Sequence, residues 1–425
     1  MNPPPFAHAH ASHPDWRMAF GLVAAQLEAQ LAGAPAPTLG WCYLTDHHAV
    51  HAEPLLAALR ERWPATAWVG TVGVGVCASG VEYFDEPALA VMLGHLPREQ
   101  FRVYSGRRPL PAHDGFAAHT ALVHADPATP ELGALIGELA DRTGGHYLFG
   151  GLASSRGRCV MLADAVYEGG LSGVAFTAEA ALVSRVTQGC QPLGPLRHIG
   201  EVERNVVYTL DGRPALDVLL ADLGVSEQEP REAMARLRGT LVGLSDAEEA
   251  APFGLPAQNP EFATPARRGS FGTETRVRHL IGIDPQRRGL AIADTPEPGQ
   301  LLAFCRRDTD AARRDLVRIA TEVRGALEPE DLPLVTPSPA YAALAMQARA
   351  AAAAATTQGR RMLGALYFSC TGRGGPHFGA PSAELQLLRH ALGEVPLVGF
   401  FAAGEIGHRH LYGYTGVLTV FTAPA

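Results

Sequence analysis

Pro396-Leu-Val-Gly-Phe-Phe-Ala-Ala-Gly404 is an unbroken apolar run, rich in aromatic and small residues, closed by glycine. It is too short for a helix with a polar face and reads as a buried strand passing directly into a glycine turn. The same form stands earlier in the chain, in Ala67-Trp-Val-Gly-Thr-Val-Gly-Val-Gly75, where Gly70 and Gly75 keep the five-residue spacing of Gly399 and Gly404. A pattern repeated at this distance marks duplicated structure rather than chance composition.

The flanks repeat too. Leu39-Gly-Trp-Cys-Tyr-Leu-Thr45 and Leu363-Gly-Ala-Leu-Tyr-Phe-Ser369 each precede the run as a strand, with an amphipathic helix between (Glu53 to Trp63, Ala383 to Leu392) and a further strand after it (Ala88 to Leu93, Gly416 to Phe421). A looser third copy runs through Ala121-Leu-Val-His-Ala125, a helix from Pro130 to Arg142, Tyr147-Leu-Phe-Gly-Gly-Leu-Ala153 and Gly173-Val-Ala-Phe-Thr177. Strands joined through a helix lie parallel. The expected fold is therefore α/β: two related lobes of mixed β-sheet with helices packed on the sheets, built from strand-helix-strand-turn-strand repeats. The lobes span 1–200 and 201–425, with the proline-bearing segments 240–270 and 328–361 as loops or linkers, the second carrying the alanine tract 350–355.

Composition narrows the function. The 425 residues are 47% hydrophobic and 18% charged, with a net charge of -8, and the arginines are scattered, so there is no basic face for nucleic acid. All 35 basic residues are arginine. Without lysine there is no Schiff base and no Walker-type phosphate contact. Six dispersed cysteines form no CxxC pair, which points to reduced thiols. The N-terminus lacks a signal-peptide pattern, and the uncharged stretch from Trp63 to Val81 is too interrupted by glycine for a membrane helix. A cytoplasmic protein with no membrane insertion is expected.

Tyr367-Phe-Ser-Cys-Thr-Gly-Arg-Gly-Gly-Pro-His-Phe-Gly379 puts a thiol and a guanidinium at the open end of a strand, where α/β proteins place ligands. Successive N–H groups around Gly372, Gly374 and Gly375 can form an anion-binding nest beside the planar fork of Arg373, with Glu405 on the neighbouring strand end set to meet an ammonium group. The alternative is that Arg373 and Glu405 bridge each other. The candidate ligand-binding set is Cys370, Thr371, Gly372, Arg373 and Gly374 on one loop with Gly399, Gly404 and Glu405 beside it. A rival reading makes Cys370 the nucleophile of a hydrolase or transferase, with His377, His408 or His410 as base.

Other motifs carry less. His8-Ala-His10 and His408-Arg-His410 would each face two imidazoles one way on a strand, but neither has a third ligand beside it, so no metal and no cofactor is expected. Gly73-Val-Gly-Val-Cys-Ala78 satisfies the dinucleotide fingerprint only formally, since no helix is expected after it.

Together, Phe368-Ser-Cys-Thr-Gly-Arg-Gly374, Val395 to Ile406, Arg276-Val-Arg-His-Leu-Ile-Gly-Ile-Asp284, Ala11 to Trp16, Gly150 to Ser154 and Gln188 to Pro195 resemble the FIST family, built from an N-terminal and a C-terminal FIST domain. The resemblance spans nearly the whole chain. It implies a small-ligand sensory module in signal transduction, with an amino-acid-like or other small polar ligand. No kinase, chemoreceptor or F-box segment is attached, which implies output through a separate protein partner. The N-terminal turn departs from the C-terminal one in carrying Val76 where the other has Glu405.

Overall fold

The computed structural model describes residues 6–111, 115–225, 236–246, 275–328 and 359–425. Three units share one plan. The N-terminal unit runs Leu39–Thr45, helix Ala52–Arg62, Ala67–Gly73, a hairpin of Gly75–Ala78 and Val81–Phe84, and a return strand Ala88–Gly94. The middle unit runs Thr120–Ala125, helix Leu132–Asp141, Tyr147–Leu152, a hairpin of Met161–Ala163 and Val166–Tyr167, and a return strand Leu171–Phe176. The C-terminal unit runs Arg360–Cys370, helix Ala383–Leu392, Leu397–Ala402, a hairpin of Glu405–His408 and His410–Tyr412, and a return strand Thr415–Pro424. In each, the first two strands are parallel and the return strand pairs antiparallel with the first.

The duplicated glycine has a steric cause. Gly70 faces Cys42, Gly150 faces Val123 and Gly399 faces Tyr367 across the parallel pair. A Cβ at any of the three would run into the carbonyl oxygen of the facing residue. Only glycine fits where backbones approach this closely.

The hairpins do not stay with their own sheets. The N-terminal hairpin pairs with the second strand of the C-terminal unit, the C-terminal hairpin with that of the middle unit, and the middle hairpin with that of the N-terminal unit. Edge strands Ala7–Ser12, Phe101–Ser105 and Leu182–Gln188 flank the three return strands. Three six-stranded mixed sheets of identical strand order result, closed into a ring by the exchange.

Their inner faces share one core, with Trp41 and Tyr43, Phe149 and Phe176, and Phe368, Phe400 and Phe421 among its members. By the register that aligns the three glycines, Tyr43, His124 and Phe368 hold equivalent places, and they meet there: Tyr43 Oη lies 3.2 Å from His124 Nε2, and both rings pack edge-on against Phe368. The helices cover the outer faces of the N- and C-terminal sheets. Helices Trp16–Leu31 and Thr309–Gly325 begin at equivalent caps, Asp15 accepting from Arg17 N and Asp308 from Ala311 N.

A fourth sheet is inserted between the edge strand Leu182–Gln188 and the helix Thr309–Gly325, with Thr240–Ser245, Arg276–Asp284, Gly289–Ile292 and Leu301–Arg307 as its principal strands. Helix Ala215–Leu223 packs on it. This corrects the loop expected over 240–270: Thr240–Ser245 is a fully buried strand, because Leu241, Val242 and Leu244 precede the prolines and pair on both sides. Residues 247–274 lie outside the described residues. So do 329–358 with the alanine tract, whereas Arg360 and Arg361 already belong to a strand. The Trp63–Val81 stretch supplies a parallel strand and the start of a hairpin, and no helix follows Gly73–Ala78. Among the described residues no helix is long and apolar enough to cross a membrane.

Candidate functional site

The strand Arg360–Cys370 delivers Cys370 to the end of its sheet, and the hairpin beginning at Glu405 starts three residues beyond the end of the parallel neighbour Leu397–Ala402. The two residues are thereby brought together. Glu405 is fully buried. Its Oε2 accepts from Thr415 N at 3.0 Å and from Thr415 Oγ1 at 2.7 Å, whereas Oε1 finds no donor in ordinary hydrogen-bond geometry. The Cys370 thiol interacts with the carboxyl but is a weak donor. Burial pushes Glu405 up to about 8, against the opposing pull of Thr415, Arg373 and the thiol, so it is mostly protonated at neutral pH.

Arg373 is also buried, and the carboxylate of the chain that it pairs with is Glu384 rather than Glu405. Its Nε and Nη2 lie 2.9 and 2.6 Å from Glu384 Oε1, and Glu384 accepts in addition from Tyr367 Oη at 2.7 Å and Ser369 Oγ at 2.9 Å. The guanidinium stands 5.2 Å over the Phe378 ring. Burial opposes its charge, and Glu384 outweighs that, holding its pKa above the ordinary value. Three of the loop's N–H groups have acceptors within the chain: Thr371 N donates to Ala402 O, Arg373 N to Cys370 O, and Gly375 N to Glu82 Oε2 at 3.2 Å. The carboxyl this nest meets is the chain's own, brought in on the N-terminal hairpin. Burial and the nearby Glu384 push Glu82 up to about 7.

The glycines separate by role. Gly399 belongs to the sheet interior described above. Gly404 makes the turn into the hairpin, its carbonyl accepting from Leu152 N at 2.8 Å, and a Cβ on Gly374 would strike the Phe84 ring. Gly372 is half-buried, its carbonyl accepting from Arg307 of the fourth sheet. Arg307 also stacks over Tyr414, whose hydroxyl lies 2.5 Å from His279 Nε2. Tyr414 has φ of 62°, a left-handed conformation rare for an aromatic residue, and its carbonyl meets Arg373 Nη1 at 3.5 Å. Tyr414, Arg307 and Cys370 therefore stand at the junction of the C-terminal sheet with the fourth sheet, and Glu405 lies beneath them, paired with Gly151 of the middle sheet.

Nothing here arms Cys370. Burial first, and then Glu405, raise its thiol to about 12, leaving it protonated at neutral pH. His377 lies against Arg307, His408 packs edge-on against Tyr147, and burial beside Arg276 lowers His410 to about 4. No hydrogen bond joins any of them to the thiol. Among the described residues no three metal-ligating side chains converge.

Glu384, Glu82, Thr415, Tyr414 and Arg307 were not anticipated. Glu384 had a signal: it sits in the apolar stripe of its helix, four residues before Leu388 and beside Leu385, where a charge is out of place unless paired. Glu82 had none, because its place depends on a hairpin crossing from one unit to another.

The family profile for the FIST N domain matches residues 38–213, and that for the FIST C domain matches residues 215–408. The uncharacterized protein Rv0628c of Mycobacterium tuberculosis is 31% identical over 427 residues, which cover 96% of this chain and 97% of that one. The uncharacterized protein Mb0898c of Mycobacterium bovis is 29% identical, with 96% of each chain covered.

Proposed function

Because the chain belongs to the FIST family, whose domains are associated with sensory roles in signal transduction, we propose that it binds a small polar metabolite at the Cys370–Glu405 junction and passes the bound state to a separate protein partner. The observation that carries this is the fully buried Glu405 with an unanswered Oε1. A buried polar atom without a partner costs about 1–3 kcal/mol, and a ligand group would recover it. In this reading Cys370, which interacts with the Glu405 carboxyl, and the loop residues Thr371 and Gly372 after it bound the site, and Arg373 supports it through Glu384 rather than by gripping an anion directly. An amino-acid-like ligand fits in two ways. Its carboxyl accepts from protonated Glu405, or its ammonium takes the ionised carboxyl and a proton is released. Binding needs no chemical step, and the raised thiol supports a sensor rather than a catalyst.

A thermal-shift screen of amino acids and other small polar metabolites tests the reading, run in parallel on the wild type and Glu405→Gln. The expected hit raises the wild-type melting temperature and loses about tenfold or more in affinity with the glutamine, consistent with one charge-assisted hydrogen bond. Hits that bind both proteins equally would place the ligand elsewhere.

A further inference from the structure

The edge strand Ala7–Ser12 turns Ala7, Ala9 and Ala11 into the core under helix Trp16–Leu31, so His8, His10 and Ser12 share the opposite face. Two of these are answered there. His10 Nδ1 lies 2.5 Å from Tyr83 Oη, and Ser12 Oγ donates to Glu86 at 2.9 Å. His8 is not: its backbone is held by Gln30, but the ring Nδ1 is buried and meets no hydrogen-bonding partner.

Beside His8 is a cavity of about 520 Å³, walled by Phe6, Leu31 and Leu93 from the N-terminal side and by Val395 and Pro396 from the C-terminal unit. That volume lies within the range of small-molecule sites, which combine apolar walls with a few placed polar groups. The charges at its rim cancel: Arg389 Nε lies 2.9 Å from Glu394 Oε1, and Arg389 Nη2 2.7 Å. Burial holds His8 below its ordinary pKa, so the ring is neutral at pH 7. With Arg389 and Glu394 paired, and Gln30, Ser79 and His95 Nδ1 bonded to backbone groups, an uncharged ligand would find apolar contact and the unpartnered His8 Nδ1.

We propose that this cavity is a binding site for an uncharged molecule with an apolar body and one hydroxyl or carbonyl group, which engages His8 Nδ1. The site is separate from the Glu405 junction. It joins strand Ala7–Ser12 to the loop that precedes Leu397–Ala402, so an occupant would tie the N-terminal strand to the C-terminal unit.

Fluorescence titration with 1-naphthol tests it, alongside 1-octanol by thermal shift, on the full chain. The wild type is expected to bind 1-naphthol saturably and to prefer it at least tenfold over 1-naphthoate. His8→Phe, which keeps an aromatic ring but removes both nitrogens, should weaken binding about 2- to 10-fold. Ala34→Trp, a substitution at a half-buried residue of an exposed loop that lines the cavity, should abolish it. Glu405→Gln should leave it unchanged, which separates this site from the other, and melting curves confirm that each variant is folded. The proposal is overturned if neither probe binds the folded wild type, if Ala34→Trp binds as well as the wild type, or if 1-naphthoate is preferred.

Discussion

Three corners of the molecule solve one problem in different ways. Where each return strand begins, a backbone N–H needs an acceptor. In the N-terminal unit Ala88 N donates to Thr45 Oγ1 at 2.8 Å. In the middle unit Gly169 N donates to Asp126 Oδ2 and Gly170 N to Thr129 Oγ1. In the C-terminal unit the residue equivalent to Thr45 and Asp126 is Cys370, a poor acceptor, and Thr415 N turns instead to Glu405. By the same register Glu405 stands where the other hairpins carry Val76 and Met161, facing Phe400 and Thr71 as Glu405 faces Gly151. A threonine suffices for the cap at one corner, and a carboxyl sunk at an otherwise apolar position costs more than the cap requires. The surplus is the argument for a ligand.

The largest effect should come from copying the expensive solution to the wrong corner. Val76→Glu buries a carboxyl with no Thr415 beside it, and denaturant unfolding should show a loss of about 3–5 kcal/mol, or no folded protein. Stability within about 1 kcal/mol of the wild type would mean that the position tolerates charge anywhere in the ring, and Glu405 would lose its significance.

Arg373→Ala comes next. It strands Glu384, which is fully buried, and should cost about 3 kcal/mol or more, while Arg373→Lys should recover part of that. Both should act on stability first. A variant whose only defect is ligand affinity would restore the direct anion clamp that the sequence suggests.

The pH dependence follows from two raised carboxyls. Glu82 and Glu405 bind protons more tightly in the fold than their ordinary value of 4.5 allows in the unfolded chain. Their contribution to stability is full below about pH 4.5 and is lost as the pH rises through about 7 for Glu82 and about 8 for Glu405. Melting curves from pH 5 to 9 should therefore fall less steeply in Glu82→Gln or Glu405→Gln than in the wild type, and least in the double variant. Parallel curves for all four proteins would show that neither group titrates as described.

How much of this was open to reading in the sequence depends on range. Gly70 and Gly399 announced the repeat because a close backbone approach leaves no other residue possible, and the βαβ order followed from spacing alone. The third copy, Gly150, was weaker only because five extra residues separate its strand from its hairpin: Ser155 to Cys159 intervene before Val160 and Met161, where Gly75 and Gly404 lead straight on. The exchange of hairpins was invisible, since nothing local to Glu82 or Ile406 says which sheet they join. Arg373 was set against a ligand anion, with a bridge to Glu405 as the alternative, and Glu384, eleven residues on in the first turn of the following helix, was passed over although its place in the apolar stripe marked it.

The smallest effect should be Cys370→Thr, which imports the N-terminal corner's own cap. Stability should change by less than about 1 kcal/mol, since a partly polar site accepts a hydroxyl, and metabolite binding should survive. Abolished function with an intact fold would revive the reactive thiol.

The central claim is that Glu405 is a buried carboxyl left neutral and unanswered until a ligand arrives. It is tested most directly by ¹³C NMR titration of the glutamate side-chain carboxyls, with the Glu405 signal assigned by its loss in Glu405→Gln. The account predicts a midpoint clearly above pH 7, near 8, shifting when a hit from the metabolite screen is added. A midpoint near the ordinary 4.5 that the ligand leaves in place would contradict it.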